Sequence, residues 1–325
     1  MAADDQNADE LENEPATDLA EEISKGEVAL TPTDTGDPAA IVEAKIPEDI
    51  RERYEIYSYR NAATILSETR KTEFDDLLKA LREFKITKKM IRTAGGNESE
   101  IPKLLSNSLR PLGWHETVVQ GDLLVKLTWR EPVAVVTKGR KKGKTIFGAK
   151  SRNITRKKYL DGHKIDYVKD RVAFDLEWNS KDQTFDRDLY AFSAFFQCGV
   201  IDVGVLVTRS QSLNPVFRQL GQALKKDGIT LDFKARRKPR LTYEKYGAST
   251  TWMGKLLYRM NAGRNGGCPV LVVGITPKCI ADWTPEDEAA VAKLSAEAEP
   301  ANASCLSKAV APFAISPAKA VPTAR

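Results

Sequence analysis

The chain has 325 residues, of which 42% are hydrophobic and 29% are charged, which suffices for one large globular domain. No apolar run approaches the roughly 20 residues of a membrane-spanning helix, so we expect no such helix and no membrane partner. The N-terminal segment is acidic and lacks the basic-then-apolar pattern of an export signal. The four cysteines form no CxxC pair and fit no zinc pattern with the two histidines. We therefore expect a cytoplasmic protein with reduced thiols.

The net charge of +5 combines two regions of opposite sign. Residues 1–40 contain twelve acids and one lysine, whereas the remainder contains 49 basic and 33 acidic residues. A basic body indicates a polyanionic partner, most often nucleic acid. Residues 1–45 have few large apolar side chains, and we expect them to form an acidic disordered tail. Their composition leaves open whether the tail competes with DNA or only keeps the protein soluble.

The folded domain is expected to span residues 46–283 and to begin with helices. Apolar residues recur at helical spacing in two places, namely Ile56, Tyr59, Ala63 and Leu66, and Phe74, Leu77, Leu78 and Leu81. A later helix is expected to carry Ile101, Leu104, Leu105 and Leu109 on one face. Glu98 and Glu100 fall near the first turn of that helix. A carboxylate there either favours the helix dipole or reaches a metal site on the following sheet.

A pair of strands and a strongly basic segment are predicted next. The strands cover residues 118–129 and 133–137, and ten lysines and arginines follow between residues 138 and 158. This charge density predicts an extended, mobile loop that neutralises DNA phosphates and releases counterions. The alternative is a solvated charge run without a partner. The residues expected to contact DNA are Lys138, Arg140, Lys141, Lys142 and Lys144.

The most informative stretch covers residues 165–182. Apolar and polar residues alternate over residues 172–178, which predicts a strand with one buried face and an opposite face that carries Asp175 and Glu177. Asp166 lies nine residues before Asp175, and the short polar segment between them predicts a hairpin that brings these acids together. Three converging carboxylates need a cation, and their oxygens suit a hard ion such as Mg²⁺. The alternative is that the acids form the solvated face of a half-buried sheet.

The remainder of the domain is predicted to alternate helices and strands. Helices are expected at residues 185–198, 214–226 and 251–262, and buried strands at residues 199–209 and 270–276. A second basic cluster occupies residues 234–240. Beyond Trp283 the chain is rich in Ala, Pro and Ser, so residues 284–325 are expected to form a flexible tail.

Three long segments of this sequence resemble the BglII-type restriction endonucleases. They are HKIDYVKDRVAFDLEWNSKDQTFDRDL at 163–189, GVIDVGVLVTR at 199–209 and YGASTTWMGKLLYRMNAGRNGGCPVLVVGIT at 246–276. The resemblance covers roughly residues 47–283 and implies an α/β fold with a PD-(D/E)XK restriction-endonuclease-like core, a mixed β-sheet flanked by helices. It also implies a type II site-specific deoxyribonuclease that cuts palindromic double-stranded DNA as a homodimer, with a cognate DNA methyltransferase in the same system.

The resemblance assigns the family's metal-binding acids to Asp166 and Asp175 and the third position of the motif to Glu177. Asp175 is shorter than the glutamate that is common at its position, so the backbone or a water must make up its reach. Lysine, frequent in the wider superfamily at the position of Glu177, is absent, and this leaves the general base unassigned. Water acidified by Mg²⁺ is the expected nucleophile, with Glu177 steering it.

Further site residues implied by the resemblance come from other segments. Glu100 is implied as the acid from the preceding helix, with Glu98 and Asn97 as alternatives because the helix register is uncertain by a residue or two. Asn179, predicted on the same strand face as Glu177, is expected to orient a water or a phosphate. Arginine reads guanine and asparagine reads adenine in the major groove, although phosphate contact is the commoner role for any one arginine. The candidates for such contacts are Arg236, Arg237, Arg259, Arg264 and Asn265.

Two other functions stay open at this point. One is a structure-directed or repair nuclease on the same core, which would have no fixed cleavage sequence. The other is a DNA-binding protein that uses this fold without catalysis. Digestion of long duplex DNA separates the three, because discrete fragments, a smear and intact but shifted DNA are their respective products.

Overall fold

The computed structural model describes residues 36–94, 99–247 and 249–302. In these residues a mixed six-stranded sheet has the strand order β1-β6-β5-β4-β3-β2. The strands are β1 (Tyr54–Tyr59), β2 (His115–Val135), β3 (Thr145–Lys169), β4 (Val172–Glu177), β5 (Val203–Arg209) and β6 (Val270–Ile275). β4, β5 and β6 are parallel to one another, and the outer pairs are antiparallel. The predicted α/β fold with a mixed sheet is thus confirmed.

Helices cover both faces of this sheet. The helices before β2 are α1 (Ala39–Lys45), α2 (Glu48–Arg53), α3 (Ala62–Thr69), α4 (Lys71–Glu83), α5 (Lys88–Arg92) and α6 (Glu100–Leu109). The helices after β4 are α7 (Thr184–Gln197), α8 (Leu213–Gln219), α9 (Thr242–Lys245), α10 (Met253–Asn261) and α11 (Pro285–Asn302). None of the helices in the described ranges has both the length and the apolar character that a bilayer crossing requires.

The sheet separates two hydrophobic layers. In one, Phe74 and Leu77 of α4 belong to the same buried cluster as Phe174 of β4. In the other, Phe192 of α7 belongs to a buried cluster with Leu206 of β5. The sheet is therefore covered on both faces, and β5 is buried along its whole length, as its β-branched run predicts.

The strand β4 differs from its prediction in the environment of its polar face. All its residues are buried, and Asp175 and Glu177 are only 4% and 6% exposed. The interpretation of these acids as a solvated face is therefore wrong. The physical reason is that α7 packs over this face of the sheet, a tertiary contact that the alternation within one strand does not encode.

The basic segment also differs from its prediction. Residues 145–158 belong to β3, which pairs with β2 from Val135↔Thr145 to His115↔Val168 in one long antiparallel hairpin, here called the hairpin arm (His115–Lys169). Only the turn at its tip, which contains Lys138 to Lys144, lies outside the strands. The predicted mobile loop is wrong because β2 supplies hydrogen-bond partners that allow a densely charged segment to be extended and paired.

Three further corrections concern the first strand, the helix after β5 and the predicted tails. Residues 54–59 form β1 rather than a helix, because their alternating aromatic residues pair with β6 from Tyr54↔Ile275 to Tyr59↔Val270. The helix predicted at 214–226 ends at Gln219. The predicted tails 1–45 and 284–325 each include residues that are helical in the structure. Val42 of α1 is buried in the core, and the carboxylate of Asp287 of α11 lies 2.6 Å from Nζ of Lys88. These contacts attach both helices to the domain.

Gly204→Ala is expected to destabilise the fold by about 1–3 kcal/mol, because it overpacks the contact between α7 and β5. A Cβ at this position would lie 2.5 Å from the ring of Phe192, which is fully buried and cannot move aside. Gly247→Ala is the control, since its Cβ would meet only backbone at 3.7 Å. Chemical denaturation of both variants measures the difference, and equal midpoints would contradict this description of the packing.

Candidate active site

The hairpin between β3 and β4 brings the first two predicted acids together. Tyr167 pairs with Phe174, and the next step along the ladder sets Asp166 opposite Asp175. The backbone N–H of Asp166 donates a hydrogen bond of 2.8 Å to Oδ1 of Asp175. The polar turn between the strands thus produces the approach that the spacing of nine residues predicts.

The two acids differ strongly in their exposure to solvent. The side chain of Asp166 is about half exposed, and Lys164 Nζ lies 3.9 Å from its Oδ1. Asp175 is buried, and Glu177, two residues further along the same face of β4, is buried beside it. The carboxylates therefore extend from an open rim at Asp166 to a closed interior at Glu177.

A fourth carboxylate, Asp188, joins this group from α7, the helix that packs over the same face of the sheet. It is 2% exposed and interacts with Glu177 and, at longer range, with Asp175 and Asp166. In the described residues, the nearest cation to Glu177 and Asp188 is the guanidinium of Arg187. Its Nη2 lies 3.1 Å from Asp188 Oδ1 and 3.7 Å from Glu177 Oε1. The arginine side chain is 69% exposed, so solvent screens its charge and it compensates the buried acids only in part.

Burial has a clear effect on the protonation of these groups. It raises the pKa of Asp175 well above the usual value, and the charges of Asp188 and Asp166 raise it further. Burial and then the charge of Asp188 raise the pKa of Glu177 to about 8. Burial also raises the pKa of Asp188 to about 6, although Arg187 lowers it. At neutral pH Glu177 is therefore mostly protonated, and only a nearby cation would favour the charged form of this group.

Two oxygen atoms of this group have no hydrogen-bond partner. They are Oε2 of Glu177 and Oδ2 of Asp188, and both are buried. An unpartnered anionic oxygen in the interior is costly unless a cation approaches it. In the described residues no set of three or more His, Cys, Asp or Glu side chains is arranged to hold a metal ion. Mg²⁺, however, often uses one or two carboxylates and several waters, and the unpartnered oxygens fit that requirement.

The other predicted catalytic residues lie differently from expectation. Glu100 is the first residue of α6, as predicted, but it is exposed, and none of the contacts found in the described ranges joins it to the carboxylates. Its alternatives Asn97 and Glu98 lie outside the described residues. Asn179 was expected on the strand face of Glu177, but β4 ends at Glu177. Asn179 instead lines a cavity of about 450 Å³ together with Trp178, whose side chain belongs to the opposite layer.

The predicted DNA-contacting residues fall into three groups. The five basic residues of the arm tip are exposed, and they are Lys138, Arg140, Lys141, Lys142 and Lys144. Arg236 and Arg237 are also exposed, and both have left-handed backbone angles with φ of 59° and 55°. Arg264 is 44% exposed and donates a 2.6 Å hydrogen bond to Asp186.

Arg259 and Asn265, also candidates for base contacts, are buried in the domain. Arg259 pairs with Asp186 at 2.9 Å, and the side-chain amide of Asn265 donates a hydrogen bond to the backbone oxygen of Cys268. Both side chains thus hold α10 and the loop that follows it, and they are turned away from solvent. Neither side chain is presented to solvent for a base contact, so their role in reading bases stays a prediction.

The residue that sequence reasoning missed is Asp188. A signal for it was present, because Asp188 lies three residues after Phe185 and four residues before Phe192, on the apolar face of α7. A carboxylate on the buried face of a helix needs a partner or a function. The sequence does not show, however, that this face of α7 lies against the acids of β4.

Comparison with known proteins gives one family. The model of the family described as restriction endonuclease BglII/BglIII matches residues 54–275, more than half of the chain. The match begins at the first residue of β1 and ends at the last residue of β6, so it includes the sheet and the four carboxylates. No curated protein matches the chain.

Proposed function

This chain belongs to the restriction endonuclease BglII/BglIII family of type II site-specific deoxyribonucleases, and on that premise we propose that it cleaves palindromic double-stranded DNA in a Mg²⁺-dependent reaction. Enzymes of this family generally use divalent metal ions. The observation that carries the proposal is the group of buried carboxylates at the end of β4, two of whose oxygens lack a partner. Such a group is costly to a fold and useful to a metal-dependent hydrolase.

Asp166 and Asp175 would hold the ion, with Asp166 at the open rim and Asp175 in the interior. When bound, the divalent ion supplies Lewis-acid stabilisation of the negative charge that develops on the phosphate and on the leaving oxygen. Asp175 is positioned for this role by the backbone N–H of Asp166, which orients its carboxylate through the 2.8 Å hydrogen bond. The pairing of β3 with β4 therefore fixes both acids relative to each other.

The remaining side chains of the site act on water and phosphate. Oε2 of Glu177 has no other partner and is available to accept a hydrogen bond from the attacking water and so to orient it. Arg187 and Lys164 are the cations at the rim, and both side chains are exposed enough to turn toward a phosphate oxygen. Burial by α7 excludes bulk water from the interior side and strengthens these electrostatic contacts.

DNA binding by this family requires a surface that tracks the backbone, and the hairpin arm offers one. Its exposed tip residues Lys138 to Lys144 would contact phosphates, while Arg236, Arg237 and Arg264 are candidates for contacts with bases or phosphates. A homodimer matches a palindrome because each subunit reads one half-site. A restriction enzyme of this kind needs a DNA methyltransferase that modifies the same site in the host genome.

Digestion of long duplex DNA tests the proposed function directly. Purified protein with Mg²⁺ is expected to produce discrete fragments, and sequencing of their ends is expected to return one palindromic motif. Chelation of the divalent ion with EDTA is expected to abolish cutting and to leave the DNA shift on a native gel. A smear would indicate a nuclease without a fixed site, and intact DNA with a gel shift in Mg²⁺ would indicate a binding protein.

A further inference from the structure

The outer part of the hairpin arm, here called the outer arm (residues 122–159), is open to solvent on both of its faces. None of its side chains is buried, so nothing in the described part of the domain covers it. It nevertheless carries large apolar side chains, among them Leu127, which is 46% exposed, and Trp129, which is 44% exposed. Exposed apolar side chains that lie together on a protein surface mark an interaction site. The outer arm therefore has the character of a surface that binds a partner outside its own domain.

The two faces of the outer arm differ in their chemistry. Side chains of directly opposed residues lie on the same face of an antiparallel ribbon. On one face, Leu127 lies opposite Arg152 and Trp129 lies opposite Lys150, so an apolar row on β2 runs beside a cationic row on β3. On the other face, the same stretch of ribbon has polar, cationic or small side chains, which are Lys126, Thr128, Arg130, Ala149, Ser151 and Asn153. Only the first face places large apolar side chains and cations side by side.

Trp129 is fixed on this face before any partner binds. Its Nε1 donates a hydrogen bond of 3.2 Å to Oε2 of Glu131, and Nζ of Lys150 lies 3.2 Å from Oε1 of the same carboxylate. The acid thus holds both the indole ring and the ammonium group, and Lys150 compensates its charge. A side chain that is already held loses little conformational freedom when it binds, which favours binding through this face.

The charge of the arm decides which partner suits this face. Residues 115–169 contain 14 basic and five acidic residues, so the arms of two copies of the chain would repel each other. DNA offers the opposite charge. Proteins that bind its minor groove combine contacts from Arg or Lys with apolar side chains that wedge between base steps and bend the duplex. The apolar row and the cationic row of the outer arm are the two parts that this mode of binding requires.

We propose that the face of the outer arm that carries Leu127 and Trp129 enters the minor groove of bound DNA and bends the duplex. Lys150 and Arg152 contact phosphates at the border of the groove, while the two apolar side chains partly unstack a base step. The inference rests on DNA binding in the proposed function and adds to it a deformation of the substrate. Because steps such as TA deform most easily, this contact would favour certain sequences without reading a base edge.

The test compares two matched double variants on opposite faces of the arm. Leu127→Ser with Trp129→Ser removes one aliphatic and one aromatic side chain from the face that enters the groove, and Leu124→Ser with Phe147→Ser does the same on the other face. All four side chains are exposed, so thermal unfolding is expected to be unchanged in both variants. The probe is a duplex of about 30 bp with a central TA step and a fluorescent donor and acceptor at its ends. It is measured in EDTA, which prevents cutting, at protein concentrations that shift all of the DNA on a native gel.

The unmodified chain is expected to raise energy transfer between the ends of the duplex, because a bend of about 20–90° brings them closer together. The rise is expected to persist in the variant of Leu124 and Phe147 and to fall at least about threefold in the variant of Leu127 and Trp129. This pattern would support a contact in the groove by one face of the arm.

Three other outcomes overturn the inference. Saturated binding without a rise in energy transfer, or an equal loss in both variants, would show that this face does not bend DNA, and the proposed function would stand if the chain still cuts DNA in Mg²⁺. Sedimentation that shows a dimer lost only in the variant of Leu127 and Trp129 would assign this face to a second copy of the chain. A chain that neither shifts DNA in EDTA nor cuts it in Mg²⁺ would remove the proposed function and the inference together.

Discussion

Asp175→Asn is expected to lower the rate of DNA cleavage by at least about three orders of magnitude and to leave the chain folded. Loss of a carboxylate that holds a catalytic cation removes several kcal/mol of transition-state stabilisation, and about 1.4 kcal/mol corresponds to a factor of ten in rate. Asparagine keeps the oxygen that accepts the hydrogen bond from the N–H of Asp166, so the hairpin geometry is retained. The substitution therefore removes the charge and little else.

Three measurements separate this effect from a loss of structure. Single-turnover cleavage in Mg²⁺ reports the chemistry, a native gel in Ca²⁺ reports DNA binding, and thermal unfolding reports stability. Binding is expected to be nearly unchanged, and stability without metal is expected to rise, because burial holds the pKa of Asp175 well above its usual value. Glu68→Gln is the control, since Glu68 is paired with Lys45 on the surface and is remote from the site. Cleavage retained by purified Asp175→Asn would remove this residue from the cation site.

The approach of Asp166 to Asp175 could be predicted from sequence because two local features determine it. Alternation fixes which face of β4 carries Asp175, and the polar turn fixes the register of the hairpin. The burial of that face could not be predicted in the same way. It depends on α7, which is close in sequence but packs over β4 through a contact that no pattern within either element records.

Asp188 and β1 show the two ways in which local patterns misled the prediction. Asp188 belongs to the apolar face of a correctly predicted helix, yet its contact with Glu177 is information about tertiary structure that the helix pattern does not contain. In β1, the spacing of Ile56 and Tyr59 fits a helix as well as it fits a strand. Pairing with β6 decides between them, because edge-strand hydrogen bonds compensate for a weak local preference.

The hairpin arm is an unusual element for a chain without a partner, because little of the domain packs against it. A two-stranded ribbon is marginally stable by itself, and this one exposes large apolar side chains such as Leu124, Trp129 and Phe147. On one face, Trp129 of β2 lies opposite Lys150 and Leu127 lies opposite Arg152 of β3. A row of apolar residues beside a row of cations suits the sugar-phosphate backbone of DNA, which offers both apolar sugar edges and anionic oxygens.

Neutralising the tip of the arm with the triple variant Arg140→Gln, Lys141→Gln and Lys142→Gln is expected to weaken DNA binding by up to a few hundredfold at about 0.1 M salt. Each phosphate contact that is lost lowers the slope of log affinity against log salt by about 0.9, so three contacts lower it by up to about 3. The turnover rate at saturating DNA is expected to change little. The contour of β3 from Thr145 to Asp166 is about 70 Å at the usual rise of a strand, so the tip does not act on the carboxylates directly.

The matched control replaces three exposed lysines of the opposite layer with glutamine, namely Lys71, Lys79 and Lys85. They lie on or next to α4, which packs against the face of the sheet away from Asp175, so their loss is expected to leave the salt slope nearly unchanged. The comparison holds the change in net charge constant and varies only its position. Equal slopes in the two variants would mean that the protein attracts DNA through its overall charge and that the arm does not contact the backbone. A larger decrease of the salt slope in the arm variant than in the control, with an unchanged turnover rate at saturating DNA, would show that the surface that binds DNA is separate from the carboxylates that cleave it.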